Sequence, residues 1–205
     1  MPTLICDLDN VLFGDAPARR LDVWRAANGG TLGVATPAEL ADDALRAFCA
    51  GALPEQEYAG HLRARLGWTG TDEELVRLWS AGSVVVLEVL ELLSWLRERD
   101  WQLIGAADAD PWTRRARRDE FGWVLSVFER VVRGEEVGAR RPDPRYFADL
   151  LRLLPRHGPR LYVDADARNV SAARRAGLDA HLFNAGPDGA QALKTACLSL
   201  LVAAG

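Results

Sequence analysis

The stretch Leu4-Ile5-Cys6-Asp7-Leu8-Asp9-Asn10-Val11-Leu12-Phe13 decides how the rest of the chain is read. Its apolar start is too short for a helix and too uninterrupted for a loop, the pattern of a strand in the middle of a parallel sheet. Strand side chains alternate between faces, so Asp7 and Asp9 point to one side of the strand's carboxyl end, where open α/β sheets place their ligands. Two acids crowded there repel each other unless a cation or a shared proton relieves them. An isolated Asp-x-Asp is better read as a strand followed by an Asx-type turn at Asp9-Asn10. Here the position after a buried strand, and the Asn-Val-Leu that follows, favour a functional pair.

Outward from this strand, the sequence turns small and polar through Gly14-Asp15-Ala16-Pro17 and then reads as mainly helical. Thr36-Pro37-Ala38-Glu39 is a capping box with proline at the first helical position and predicts a helix over 36–50. A second helix fits 54–66, ending near Gly67, and Thr71-Asp72-Glu73-Glu74 opens a third toward Trp79. From Leu87 the pattern changes to helices alternating with short apolar strands. Helices are expected at 87–99, from Pro111 behind an Asp110 cap, at 144–154 and at 167–176, the last closed by Gly177. Strands are expected at 102–106, Val131-Val132, 160–164 and 181–183. This alternation implies an α/β fold with a Rossmann-like, doubly wound parallel sheet. Residues 1–14 and 84–205 then form the core, 15–83 an inserted helical cap, and 190–203 a terminal helix packed on the core.

The chain has 205 residues, 49% hydrophobic and 26% charged, which suits a soluble globular protein with a sizeable core. A net charge of -4 leaves no basic footprint for nucleic acid. The longest apolar run, 84–96, is interrupted by Glu88 and Glu91 and cannot span a bilayer. Acids at Asp7 and Asp9 argue against a secretory signal. Cys6, Cys49 and Cys197 are scattered without metal-ligand spacing and read as buried thiols in a reducing cytoplasm. Of 25 basic residues only Lys194 is a lysine, so arginine stands in for lysine almost everywhere.

Asp7-Leu8-Asp9-Asn10-Val11-Leu12 resembles the first motif of the haloacid dehalogenase-like (HAD) hydrolases, a superfamily composed largely of magnesium-dependent phosphatases. The resemblance extends over nearly the whole chain and implies a Rossmann-like core with a helical cap after the first motif. It makes Asp7 the nucleophile that forms an aspartyl-phosphate. Asp9 becomes the acid that protonates the leaving group and then the base that activates water. The dehalogenase branch lacks an acid at this second position, so Asp9 favours phosphoryl transfer over carbon–halogen cleavage.

Carried over residue by residue, the later motifs are altered. The second motif's Ser or Thr falls on Ala107, whose methyl cannot donate a hydrogen bond to phosphate, followed by Asp108 where asparagine is common. Asn10, Ala107 and Asp108 are thus the phosphate-binding positions, while a loop or helix-capping acid is the plainer reading of Asp108. The third motif's lysine falls on Arg141, ahead of Pro142-Asp143-Pro144, either as a working substitute or as a solvated surface arginine. The fourth motif's magnesium-binding acid falls on Ala165 in Asp164-Ala165-Asp166, with Asn169 supporting the register. Magnesium would then have to rely on Asp7, Asp9, Asp164 and Asp166, with a shift of the loop. Arg19, Arg20 and Arg25 sit near the cap boundary, either as contacts for an anionic substrate or, the commoner case, as exposed helix arginines.

Three readings follow. The first is a magnesium-dependent phosphatase of a small phosphorylated metabolite, with impaired or atypical chemistry. The second is a non-catalytic relative that binds a ligand or partner in the same cleft. The third is a different reaction using Asp7. Neither the substrate nor the oligomeric state is written in the residues, and neither nucleic acid nor membrane is an expected partner.

Overall fold

The computed structural model describes residues 1–15, 17–154 and 157–204; Ala16, residues 155–156 and Gly205, which fall in the expected cap and core segments, lie outside the described residues. In chain order the first elements are β1 (Thr3–Asp7), β2 (Phe13–Asp15), α1 (Pro17–Ala27), α2 (Asp43–Cys49), α3 (Glu55–Leu66), α4 (Asp72–Arg77) and β3 (Ser83–Val85). They are followed by α5 (Leu87–Arg97), β4 (Gln102–Ala107), α6 (Pro111–Glu120), α7 (Gly122–Leu125), β5 (Arg130–Arg133) and α8 (Gly134–Val137). The last are α9 (Pro144–Leu153), β6 (Arg160–Asp164), α10 (Ala167–Arg175), β7 (Asp179–Leu182) and α11 (Gly189–Ala204).

The chain divides into two compact units, one of Met1–Gly14, Val85–Asp108 and Trp123–Gly205, the other of Asp15–Val84 with Ala109–Gly122. The helical unit therefore takes in α6 as well as the inserted segment.

In the first unit a five-stranded parallel sheet runs in the order β5-β4-β1-β6-β7. All five residues of β1 are buried, which a strand with neighbours on both edges and helices on both faces requires. Ile5 lies in register with Ile104 and with Tyr162. These three share one apolar cluster with Tyr146, Phe147 and Leu150 of α9 and with Ala172 and Ala173 of α10, so α9 and α10 cover that face. Cys6, one residue along the strand, is buried on the opposite face, and its Sγ donates to the Asp7 carbonyl. Burying each large apolar side chain of this kind contributes about 1.5–3 kcal/mol. At Gly105 an added Cβ would stand 3.0 Å from Val131 Cγ2 and 3.4 Å from Leu8 Cδ2, so a side chain there would press on both neighbours.

The second unit is organised by aromatic residues. Trp24, Phe48, Tyr58, Trp79 and Trp112 are buried together, with Phe48 stacked on Tyr58 at 4.3 Å and Trp112 edge-on to Trp79 at 5.1 Å. Asn28 ties the turn after α1 to the end of α3. Its side-chain amide donates to the Thr31 and Gly67 carbonyls, and its oxygen accepts from the Thr69 amide at 2.8 Å.

Two expected elements differ. The helix expected over 36–50 is broken: Pro37–Leu40 is a short 3-10 turn, and α2 begins afresh behind Asp42, whose carboxylate accepts from the Leu45 amide. The Thr36 hydroxyl donates to the Glu39 side chain instead of accepting from the backbone, so the apparent capping box does not start an α-helix. The box at Thr71 does form, with Thr71 and Glu74 satisfying each other's amides. The last strand lies at Asp179–Leu182 and not 181–183, because its pairing with β6 starts at Leu161 opposite Asp179.

Candidate active site

The site is assembled by the period of the strands. Asp7 and Asp164 stand two residues beyond Ile5 and Tyr162, which share a face of the sheet, and Asp108 stands two beyond Ala106, the partner of Asp7 across β1 and β4. Three neighbouring strands thus deliver three carboxylates to one side at their carboxyl ends. Arg141 comes to them from the segment between α8 and α9. Gly138, at φ 65°, closes α8 in the left-handed conformation, and the Asp143 carboxylate caps α9 through the Arg145 amide.

Arg141 is the centre of the cluster. Its side chain is 5% exposed, and its Nη1 donates to Asp164 Oδ2 at 3.0 Å and to the Tyr162 hydroxyl at 3.1 Å and forms an ion pair with Asp7 Oδ1 at 2.8 Å. Its Nε donates to Asp108 Oδ2 at 2.9 Å. Asp164 is the most heavily committed acid. Its Oδ2 also accepts from the Tyr162 hydroxyl and from Asn169 Nδ2 at 2.9 Å, and its Oδ1 accepts from the Asp166 amide at 2.7 Å. Asp108 fits because residue 134 is glycine: a Cβ there would lie 2.7 Å from Asp108 Oδ1 and 2.9 Å from the Ala139 carbonyl.

Three carboxylates share one guanidinium in a nearly dry site, so charge is not balanced. Burial pushes Asp7 up to about 8, against the pull of Arg141 and with the further push of Asp164 and Asp9. Burial opposes the charge of Arg141, but Asp7 and the surrounding groups outweigh it and hold its pKa well above the ordinary value. Burial also raises the Tyr162 hydroxyl, which stays protonated and can donate to Asp164.

A cleft of about 650 Å³ opens over this cluster and is lined by Asp7, Asp9, Asn10, Asp108, Arg141, Asp164, Ala165, Asp166, Arg168 and Asn169, with Pro142 and Ala167. The Asp9 amide donates to Asp7 Oδ1 at 3.3 Å. Asn10 is exposed, with a left-handed φ of 59°, and its amide donates to the Phe13 carbonyl.

The structure thus brings together Asp7, Asp9, Asn10, Asp108, Arg141, Asp164 and Asp166. Ala107, expected at a phosphate-binding position, is buried one residue out of phase with Asp108 and is not among the cleft-lining residues. Asp108 is not the helix cap; that is Asp110, which accepts from the Trp112 and Thr113 amides at 2.9 Å. The surface reading of Arg141 is overturned by its burial. Arg20 donates to the Trp79 carbonyl and lies over the Trp79 ring, Arg25 pairs with Asp22, and Arg19 is exposed, so none of the three lines this cleft.

Magnesium does not fit the residues as they stand. Among the described residues no group of three or more His, Cys, Asp or Glu side chains is placed to hold a metal ion. Of the expected ligands, Asp164 spends both oxygens on hydrogen bonds, and Asp166 caps α10 and pairs with Arg168. Ala165 offers a methyl group to the cleft. Tyr162 and Gly134 were invisible to motif reading. Their signal lies in the strand register and in the close approach at residue 134, which single-residue patterns do not carry.

No family model and no curated protein sequence matches the chain. Among solved structures, a HAD family enzyme of Bacteroides thetaiotaomicron superposes with a TM-score of 0.75 at 18% identity, over 94% of this chain and 98% of that one. The same enzyme in complex with magnesium and inorganic phosphate matches at a TM-score of 0.73 and 18% identity, over 92% and 96% of the two chains. A HAD phosphatase of Thermococcus onnurineus matches at 0.59 and 18%, over 92% and 88%. The likeness at such identities is one of fold, and the chain has the haloacid dehalogenase-like fold.

Proposed function

We propose that this chain is a hydrolase that cleaves small phosphomonoesters through Asp7. The observation that carries the reading is the Asp7 carboxylate at the carboxyl end of the central strand, held at 2.8 Å by a buried arginine, with Asp9 on the same cleft. In the first step an Asp7 oxygen attacks phosphorus, the ester P–O bond breaks, and Asp9 gives its proton to the departing alcohol. In the second, Asp9 takes a proton from water as the water oxygen attacks phosphorus. The aspartyl P–O bond breaks, phosphate leaves and Asp7 is regenerated. Arg141 holds Asp7 in place and meets the charge that develops on the phosphoryl oxygens.

Only the ionised carboxylate attacks, so the raised pKa of Asp7 leaves the nucleophile largely protonated near neutral pH and favours the attacking step as pH rises toward about 8. The three free cysteines suit a reducing compartment such as the cytoplasm, and no helix among the described residues is long and apolar enough to cross a membrane. A second reading, ligand binding without turnover, is favoured by one observation: every hydrogen bond and ion pair described for Arg141 already goes to Asp7, Asp108, Asp164 or Tyr162. Turnover of a phosphomonoester panel by the parent, Asp7→Asn and Asp9→Asn tests the choice. Hydrolysis lost in Asp7→Asn supports the enzyme. No hydrolysis by the parent on any substrate at any pH favours the binding protein.

A further inference from the structure

We propose that the guanidinium of Arg141 is the built-in counter-ion of this cleft and stands in the place of a divalent metal, so that the carboxylates are assembled and neutralised without magnesium. A single nitrogen, Nη1, lies 2.8 Å from Asp7 Oδ1 and 3.0 Å from Asp164 Oδ2. That is where a cation bridging the two carboxylates would sit. Nε secures the third acid, Asp108, at 2.9 Å. With its side chain 5% exposed, Arg141 cannot swing into solvent without dismantling all three pairs.

The surrounding donors agree. Magnesium demands near-octahedral oxygen ligands at about 2.0–2.1 Å. Asp164 Oδ2 could join such a set only by giving up Arg141, Tyr162 or Asn169, and Oδ1 would have to share its charge with the Asp166 amide. Asp166 is held by Arg168 at 2.7 Å, and the Ala165 side chain supplies no oxygen. An entering ion would also meet a guanidinium of like charge, and arginine, unlike lysine, cannot shed its proton to make room. A fixed cation has therefore taken over the neutralising role, at the cost of the open coordination positions a metal would bring. The inference holds whether or not the cleft turns substrate over.

The test is the thermal midpoint of the whole chain in chelator and in millimolar magnesium, for the parent and Arg141→Ala. The parent should shift by less than about 1 °C. Arg141→Ala should start lower in chelator and regain about 5 °C or more with magnesium, because the vacated position accepts a cation between the stranded carboxylates. A parent midpoint that itself rises by about 5 °C overturns the proposal. So does an Arg141→Ala protein that folds and ignores magnesium. If that variant does not fold in either solution, manganese binding to the parent, followed by electron paramagnetic resonance, decides: absence of a saturable site supports the resident counter-ion, and one tight ion per chain overturns it. None of these readouts depends on turnover, so an inactive parent would refute the hydrolase reading and leave this one standing.

Discussion

Replacing Arg141 with methionine keeps much of the side chain's length and apolar contact while deleting its charge. In the folded chain it strands Asp7, Asp108 and Asp164, of which Asp7 and Asp164 are almost fully buried. Removing one partner of a buried ion pair typically costs about 3–5 kcal/mol, because the other charge is left uncompensated. Here Asp108 and Asp164 lose their counter-charge, while Asp7, which burial keeps protonated up to about 8, loses a close polar partner. The expected loss is therefore about 4 kcal/mol near pH 7, or roughly 8–16 °C in midpoint for a chain of this size. The loss should shrink near pH 5, since stranded buried carboxylates protonate more readily there. Urea unfolding followed by circular dichroism at the two pH values measures it. A loss under about 1 kcal/mol near pH 7, or an equal loss at both pH values, would refute the view that Arg141 balances these acids.

Gly134→Ala should cost about 1–3 kcal/mol and pull Asp108 away from Arg141, because the new methyl would meet Asp108 Oδ1 at 2.7 Å and the Ala139 carbonyl at 2.9 Å; denaturant midpoints measure the cost. Tyr162→Phe removes a donor to Asp164 and an acceptor for Arg141 and should cost about 1–3 kcal/mol, read in the same way. Asp7 retains its proton in the folded chain up to about 8, above the ordinary carboxylate range, so its stabilising contribution is complete below the ordinary value of 3.8 and is lost progressively between there and about 8. Stability of the parent should accordingly fall across that window more steeply than that of Asp7→Asn, and equal slopes would show that Asp7 ionises normally.

Much of this arrangement was legible in the residues. The run Leu4-Ile5-Cys6 announces a strand buried on both faces, and β1 lies between β4 and β6. The carboxyl-end position of Asp7 and Asp9 follows from that. The helix starts at Asp110 and Thr71 were readable because the capping residue and the amides it serves are local in sequence. Thr36 shows the limit of that logic, since its side chain found Glu39 first.

The company kept by Arg141 was harder to read. Whether an arginine before Pro-Asp-Pro lies on the surface or is buried depends on acids brought in by β1, β4 and β6, at sequence separations no local pattern spans. Asp166 illustrates the same difficulty. Its spacing from Asp164 suggests a second ligand, yet the residue just after it begins a helix that needs a cap, and Arg168 completes the pair. Gly134 carried no signal of its own, because its meaning lies in Asp108 packed against it.

The most direct measurement is chemical capture of the intermediate. A phosphomonoester labelled in its phosphoryl group is mixed with the protein above about pH 8, where Asp7 is ionised, and the reaction is quenched in acid. The trapped peptide is then identified by mass spectrometry. The proposed chemistry predicts a phosphoryl group on the Asp7 carboxylate, absent in Asp7→Asn and, with an ester whose leaving group needs no proton, accumulating in Asp9→Asn, which lacks the base that clears it. Phosphate release that persists in Asp7→Asn, or label on any residue other than Asp7, would contradict it.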